Sequence, residues 1–343
     1  MTAALPRTLD GALEPAWLTE ALAPVSGGAK VTSVETVELI RVNATKVRFK
    51  AHYDNGTVGT YCLKAFLDQP NNRANAASVR EANFYLELAD KISVRTPKCV
   101  AAPVDREDEF GIVIMRDLIV DGARFCTALE PFTADRTART LEQLARLHTA
   151  HLTLGPVDEI GWTPRQIAWF GSYMTEETLQ ALLDGPRSDN LPPGMNSAAR
   201  LLEGLKALAA VDAKRPAVLI HGDCHAGNAF ETADGFGLID WQLLQIGGWA
   251  LDVAYHINAT LPAEAAEREE RALLRHYLDT VKSLGGEVPG DDEAWEQYRL
   301  SPVYGFFLWA ITRNVAADIT NTFVERLGKA VYRHGSYGLL GVS

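Results

Sequence analysis

The sequence predicts an α+β fold, with a small β-rich N-terminal part and a large, mainly helical C-terminal part. Three observations predict it. A β-rich segment over 31–66 holds a strand, 45–53, that alternates apolar and polar residues, and a β-prone run returns at 110–115. From residue 133 onward, apolar side chains recur at helical spacing instead. Between helices sits one compact hairpin region, 217–241, dense in acids and amides. The expected division is 1–117 for the β-rich part and 118–343 for the helical part, which holds that hairpin.

At 343 residues there is room for two domains, and 47% apolar with 22% charged residues is the composition of a globular protein. Thirty-three basic against 44 acidic residues give a net charge of −11, which disfavours nucleic-acid and anionic-membrane partners. Cys62, Cys99, Cys126 and Cys224 are scattered, without zinc-site or disulfide-framework spacing. The N-terminus lacks a basic region followed by an apolar core, and the longest apolar window, 303–311, is too short to span a bilayer. A cytoplasmic location follows as the expectation.

Taken in order, Trp17, Leu18, Ala21 and Leu22 lie at helix spacing after Pro15, a good first-turn residue. Val31, Val34 and Val37 mark a strand. Residues 45–53 alternate as a half-buried strand, and Asp54-Asn55-Gly56 turns it into 61–66. Lys64 falls inside that second strand. Such a lysine can lay its stem along apolar neighbours with its ammonium in solvent, or bind nucleotide phosphates beside a helical glutamate. Residues 75–91 read as a helix with Val79, Ala82, Leu86 and Ala89 on one stripe, and this helix offers Glu81. Short strands follow at 99–102 and 110–115.

Helices are then expected over 133–153 and from a cap at 161–164 to about 183. A loop at 184–196 precedes another helix, to 211. His148 and His151 are three apart on the first of these, a poor zinc pair without further ligands. Near the C-terminus, the acidic run Glu287, Asp291, Asp292, Glu293 and Glu296 reads as solvated surface. The aromatic cluster Tyr304, Phe306, Phe307 and Trp309 reads as core.

The hairpin region carries the chemistry. Val218-Leu219-Ile220 reads as a buried strand, followed by His221-Gly222-Asp223-Cys224-His225-Ala226-Gly227-Asn228. Asp234-Gly235 then turns the chain back toward Ile239 and Asp240. Asn228 lies five residues after Asp223, and Asp240 twelve further on. A kinase catalytic loop uses the same order: an Asp for the substrate proton, an Asn five positions later on a metal, and a following metal-binding Asp. Alone, each residue could be a loop cap or a strand end. Their order within one hairpin is what points to phosphoryl transfer.

On HGD, IDW and the run IDWQLLQIGGWALDVAY, the sequence resembles the aminoglycoside phosphotransferase and choline kinase-like superfamily. Within it the run is most similar to the ecdysteroid kinase-like branch and related bacterial phosphotransferases. The resemblance implies a bilobal protein kinase-like fold and an ATP- and Mg2+-dependent kinase acting on an alcohol such as an antibiotic, a sterol-like molecule or an amino alcohol. It assigns Asp223 as the catalytic base and Asn228 and Asp240 as metal ligands. Lys64 and Glu81 become the phosphate-binding pair, and Met115, Arg116 and Leu118 the hinge that meets the adenine. His148 and Asp252 become structural groups behind the catalytic loop. Only eleven residues, 241–251, separate Asp240 from Asp252, too few for a peptide-docking segment, so a small-molecule acceptor is expected. One departure stands out. The candidate phosphate loop, 40–45, has no glycine, which limits backbone approach and leaves Asn43 and Thr45 as its candidate contacts. Two rivals remain: a catalytically inactive nucleotide-binding protein of the same fold, and a metal-dependent hydrolase built on His221, Asp223, Cys224, His225 and Asp240.

Overall fold

The computed structural model describes residues 4–69 and 75–343 and has the expected α+β architecture, a β-sheet N-terminal region before a larger helical part. Its chain contacts form two compact units. Unit 1 comprises Met1–Lys91, Thr96–Arg124 and Ile239–Leu243, and unit 2 comprises Ile92–Arg95, Phe125–Leu238 and Leu244–Ser343.

In unit 1, helix α1 (Pro15–Ala21) starts on proline and buries Leu18. A five-stranded antiparallel sheet follows, in the order β1 (Val31–Arg41), β2 (Thr45–Tyr53), β3 (Val58–Ala65), β5 (Val113–Arg116), β4 (Cys99–Ala101). Burial along β2 alternates strictly, with Thr45, Val47, Phe49, Ala51 and Tyr53 inward. Val47, Phe49, Ala51 and Tyr53 meet Leu63, Ile112, Ile114 and Leu18 in one apolar core. The Asp54–Gly56 turn sets the register, so Lys46 stands opposite Lys64. Helix α2 (Asn75–Asn83) covers this unit and continues as a π-helical turn, Phe84–Leu88, rather than as regular helix to residue 91.

Unit 2 is built from α3 (Ala134–His148), α4 (Glu176–Leu183), α5 (Ala198–Asp212), α6 (Trp249–Thr260), α7 (Ala263–Ser283), α8 (Asp291–Leu300), α9 (Pro302–Ile311) and α10 (Ala317–His334). It also holds the hairpin β7 (Ala229–Thr232) with β8 (Gly235–Leu238), and a short pair, β6 (Val218–Ile220) with β9 (Gln245–Gly247). Strand β9 is not among the expected elements. Two expected helices are not continuous. The first is interrupted after His148, where Thr149 turns its hydroxyl back onto the Ala145 carbonyl, and helix resumes over His151–Leu154. The second divides into Ile167–Phe170 and α4, because Thr175 accepts the Thr178 N–H and so caps a new start.

The acidic run is exposed, with Asp291, Asp292 and Glu293 on the first turn of α8, where acids suit the helix dipole. Tyr304, Phe306, Phe307 and Trp309 are buried on α9. Among the described residues, no helix is long and apolar enough to cross a membrane.

Candidate active site

In unit 1, the Lys64 ammonium is almost completely buried and lies 2.8 Å from a Glu81 oxygen and 2.9 Å from an Asp240 oxygen. Burial would push this ammonium down. The charges of Asp240 and Glu81 reverse that, holding it above its ordinary value and therefore protonated. Lys46 reaches the other Asp240 oxygen at 3.8 Å.

Asp240 adopts a left-handed backbone, φ 68°, which aspartate tolerates better than most residues. Its neighbours impose that geometry. The Trp241 N–H donates to Glu81, its indole stacks on Phe84 at 3.8 Å, and its ring N–H donates to Thr96. Arg80 donates to the Gln242 carbonyl. These contacts bind 239–243 to the helix that carries Glu81.

The other nucleotide-side candidates are spread along the sheet. Met115 is buried opposite Cys62 and Cys99 in the strand register. The Arg116 N–H donates to the Lys98 carbonyl, its side chain exposed, and Leu118 is half-buried. Asn43 is exposed in the β1–β2 turn, its carbonyl accepting from Gln69.

In unit 2, a buried anion organises the loop after β6. Asp252, on the first turn of α6, accepts the N–H of His221 at 2.7 Å and of Gly222 at 2.9 Å, and faces His148 Nε2 at 3.2 Å. Burial would push the Asp252 carboxyl up, but the imidazoles of His148 and His221 and these N–H donors hold it below its ordinary value. Gly222 takes φ 79°, a conformation that suits glycine, while its carbonyl accepts from Tyr304 at 2.6 Å. Tyr304 in turn accepts from Gln245 on β9.

Held in this way, the loop presents Asp223 with its side chain 27% exposed, enough for a substrate to reach. Asn228 donates through Nδ2 to the Asp223 carbonyl at 2.8 Å and to Oδ2 at 3.2 Å. That commitment leaves the Asn228 Oδ1 as an oxygen donor of the kind magnesium prefers, and the partly exposed Asp240 carboxylate offers another. The donor chemistry on each unit therefore fits a hard cation. The hydrolase set fits less well. His221 is fully buried and takes the Asp223 N–H on Nδ1, while the Cys224 thiol is buried against the Asp252 carbonyl.

The sequence reading missed Lys46 and Tyr255. Lys46 was accessible through the turn, since a hairpin centred on Asn55 sets it opposite Lys64. Tyr255 donates to Asp223 Oδ1 at 3.0 Å, a long-range contact that no local pattern announces.

A model of the phosphotransferase enzyme family matches residues 36–298. No curated protein matches the sequence at a significant level. Among solved structures, an ethanolamine kinase from Plasmodium vivax is similar at 14% identity, covering 89% of this chain and 82% of its own, with a TM-score of 0.53. A choline/ethanolamine kinase family protein from Mesorhizobium loti is 16% identical over 96% of this chain and 99% of its own, with a TM-score of 0.51. A spectinomycin phosphotransferase, solved with ADP and spectinomycin, is 13% identical over 94% and 99%, also with a TM-score of 0.51. At these identities the likeness concerns the fold.

Proposed function

From the premise that this chain belongs to the phosphotransferase enzyme family, we propose that it transfers the terminal phosphoryl group of ATP to a hydroxyl of a small molecule. The observation that carries the reading is the buried Lys64 ammonium gripped by Glu81 and Asp240. A buried cation held by two carboxylates is costly as mere scaffolding. It is well suited to meeting phosphate oxygens.

In this reading Lys64, oriented by Glu81, binds the α- and β-phosphates, and Met115, Arg116 and Leu118 line the adenine side. Asp240 offers a carboxylate to magnesium, and Asn228 offers its amide oxygen. The ion, when bound, neutralises charge between the β- and γ-phosphates. Asp223 orients the acceptor hydroxyl and takes its proton. The interval 241–251 leaves little chain for docking a peptide, which favours an antibiotic, a sterol-like alcohol or an amino alcohol. Four free cysteines suit a reducing, cytoplasmic setting.

A second reading, a nucleotide-binding protein without turnover, draws on the glycine-free turn at 42–44. An ATP-consumption screen over aminoglycosides, macrolides, sterols, choline-like amines and sugars separates the two, with Asp223→Asn as the blank. Acceptor-dependent ADP release by the wild type alone is the expected result. Magnesium-dependent ATP binding without turnover on any acceptor would favour the second reading.

A further inference from the structure

Behind Asp223 lies a chain of donors whose direction is fixed by chemistry. The Trp309 indole N–H can only donate, and it meets the Tyr255 oxygen at 2.6 Å. The single phenol proton of Tyr255 is thereby turned toward Asp223 Oδ1, 3.0 Å away. Tyr255 is fully buried and Trp309 nearly so, so water does not compete for these bonds. The indole is itself wedged, with Phe323 at 4.1 Å and the His225 ring edge-on at 5.0 Å. Burial, and then the charge of Asp223, keep the Tyr255 phenol well above its ordinary value, so it remains a donor.

The two carboxylate oxygens of Asp223 are therefore unequal. Oδ1 takes the aligned phenol proton. Oδ2 takes the longer bond from Asn228, at 3.2 Å, and faces His225 Nε2 at 3.7 Å, beyond hydrogen-bond reach. Ionisable groups near this carboxylate also include Cys224, His221 and, on the packed helices, Asp252 and Tyr304.

We propose that Tyr255, oriented by Trp309, is a positioning residue that ties down Asp223 Oδ1 and leaves Oδ2 as the oxygen that takes the acceptor's proton. The proposal rests on the phosphotransferase reading. As the acceptor oxygen bonds to the γ-phosphorus, its proton passes to Oδ2. The bond from that phosphorus to the bridging oxygen breaks, with the electron pair leaving on ADP.

The test uses two readouts on the full chain. Carbon-13 NMR of aspartate-labelled protein follows the Asp223 carboxyl through a pH titration, with Asp223→Asn identifying its resonance. Tyr255→Phe keeps the ring and removes the hydroxyl, and it should raise that titration by about half a unit to one unit. Trp309→Phe should shift it in the same direction by less. On a phosphorylated acceptor, Tyr255→Phe should lower kcat about tenfold or more, leave the KM for ATP within about twofold, and move the acid limb of the rate profile upward.

An unshifted Asp223 titration in Tyr255→Phe overturns the proposal. So does a wild-type kcat accompanied only by a lower melting temperature. A shifted titration in a protein that phosphorylates no alcohol overturns the phosphotransferase reading instead and leaves the positioning assignment standing.

Discussion

Lys46 and Lys64 stand directly opposite each other on neighbouring strands, and both ammonium groups reach the carboxylate of Asp240, at 3.8 and 2.9 Å. Like charges in facing positions destabilise a sheet, so this arrangement needs an anion between them. Asp240 fills that need in the protein alone, and in the proposed reaction it also offers oxygen to magnesium. Removing it should therefore have two effects. Asp240→Ala should lower turnover about a hundredfold or more, the scale of losing one electrostatic contact at a reacting phosphate. It should also lower the urea midpoint, because two lysines then face each other with only Glu81 to answer them. Steady-state kinetics and denaturation on one preparation test both, and an unchanged rate would remove Asp240 from the site.

The Lys64–Glu81 pair makes a second prediction. Both side chains are almost fully buried. Taking one partner from a buried pair costs about 3–5 kcal/mol, since the other charge is left uncompensated. Lys64→Met should show a loss of this order, and Glu81→Gln a smaller one, because Asp240 still faces the lysine. The double variant should be less destabilised than the sum of the singles. Additive losses in a denaturation cycle would mean that the two groups are not energetically coupled.

Local chemistry explains why the Lys64–Glu81 pair was legible in the sequence. The alternation over 45–53 and the 54–56 turn that follows it put Lys64 inside the next strand and fixed what lies opposite it. The Asp223, Asn228 and Asp240 spacing sits in one hairpin region, so neighbouring residues carry most of the signal. Lys46 apart, the contacts that were missed are long-range. Tyr255 meets Asp223 across 32 positions, and Trp309 meets Tyr255 across 54. Strand β9 is three residues long and forms only because β6 is present to pair with it. The split of the helix expected to end near 183 turned on Thr175, a cap that an apolar periodicity does not weigh. The π-helical turn after Asn83 likewise carries no local signature.

Asp252 links the loop to pH. Its carboxyl accepts the N–H groups of His221 and Gly222 and lies below its ordinary value in the folded protein, whereas burial alone would raise it. A depressed carboxyl contributes stability that is present above its unfolded pKa and is lost as pH falls through the folded one. Asp252→Asn should therefore be less stable than wild type at neutral pH, with the gap narrowing once pH drops below the ordinary carboxylate range, about 4. Denaturation curves at several pH values measure the gap. A gap that stayed constant into strong acid would show that the charge of Asp252 is not what holds the loop.

His256 predicts a different pH window. Its Nδ1 donates to the Cys224 carbonyl at 2.6 Å, so the neutral ring already satisfies the back of the loop after β6, and Nε2 faces the Thr140 hydroxyl. Burial pushes its pKa from 6.5 down to about 4, against the pull of Asp252 and with small downward contributions from His221 and His225. The unfolded chain takes up this proton near pH 6.5, and the folded protein only near 4. Stability should therefore fall as pH drops through that window, by about 3 kcal/mol at about 1.4 kcal/mol per unit. His256→Asn should be less stable at pH 7, having lost the imidazole's contacts, and should lack this part of the slope. Urea denaturation of both proteins between pH 7 and 4 measures the difference, and a variant that kept the wild-type slope would mean that another group sets it.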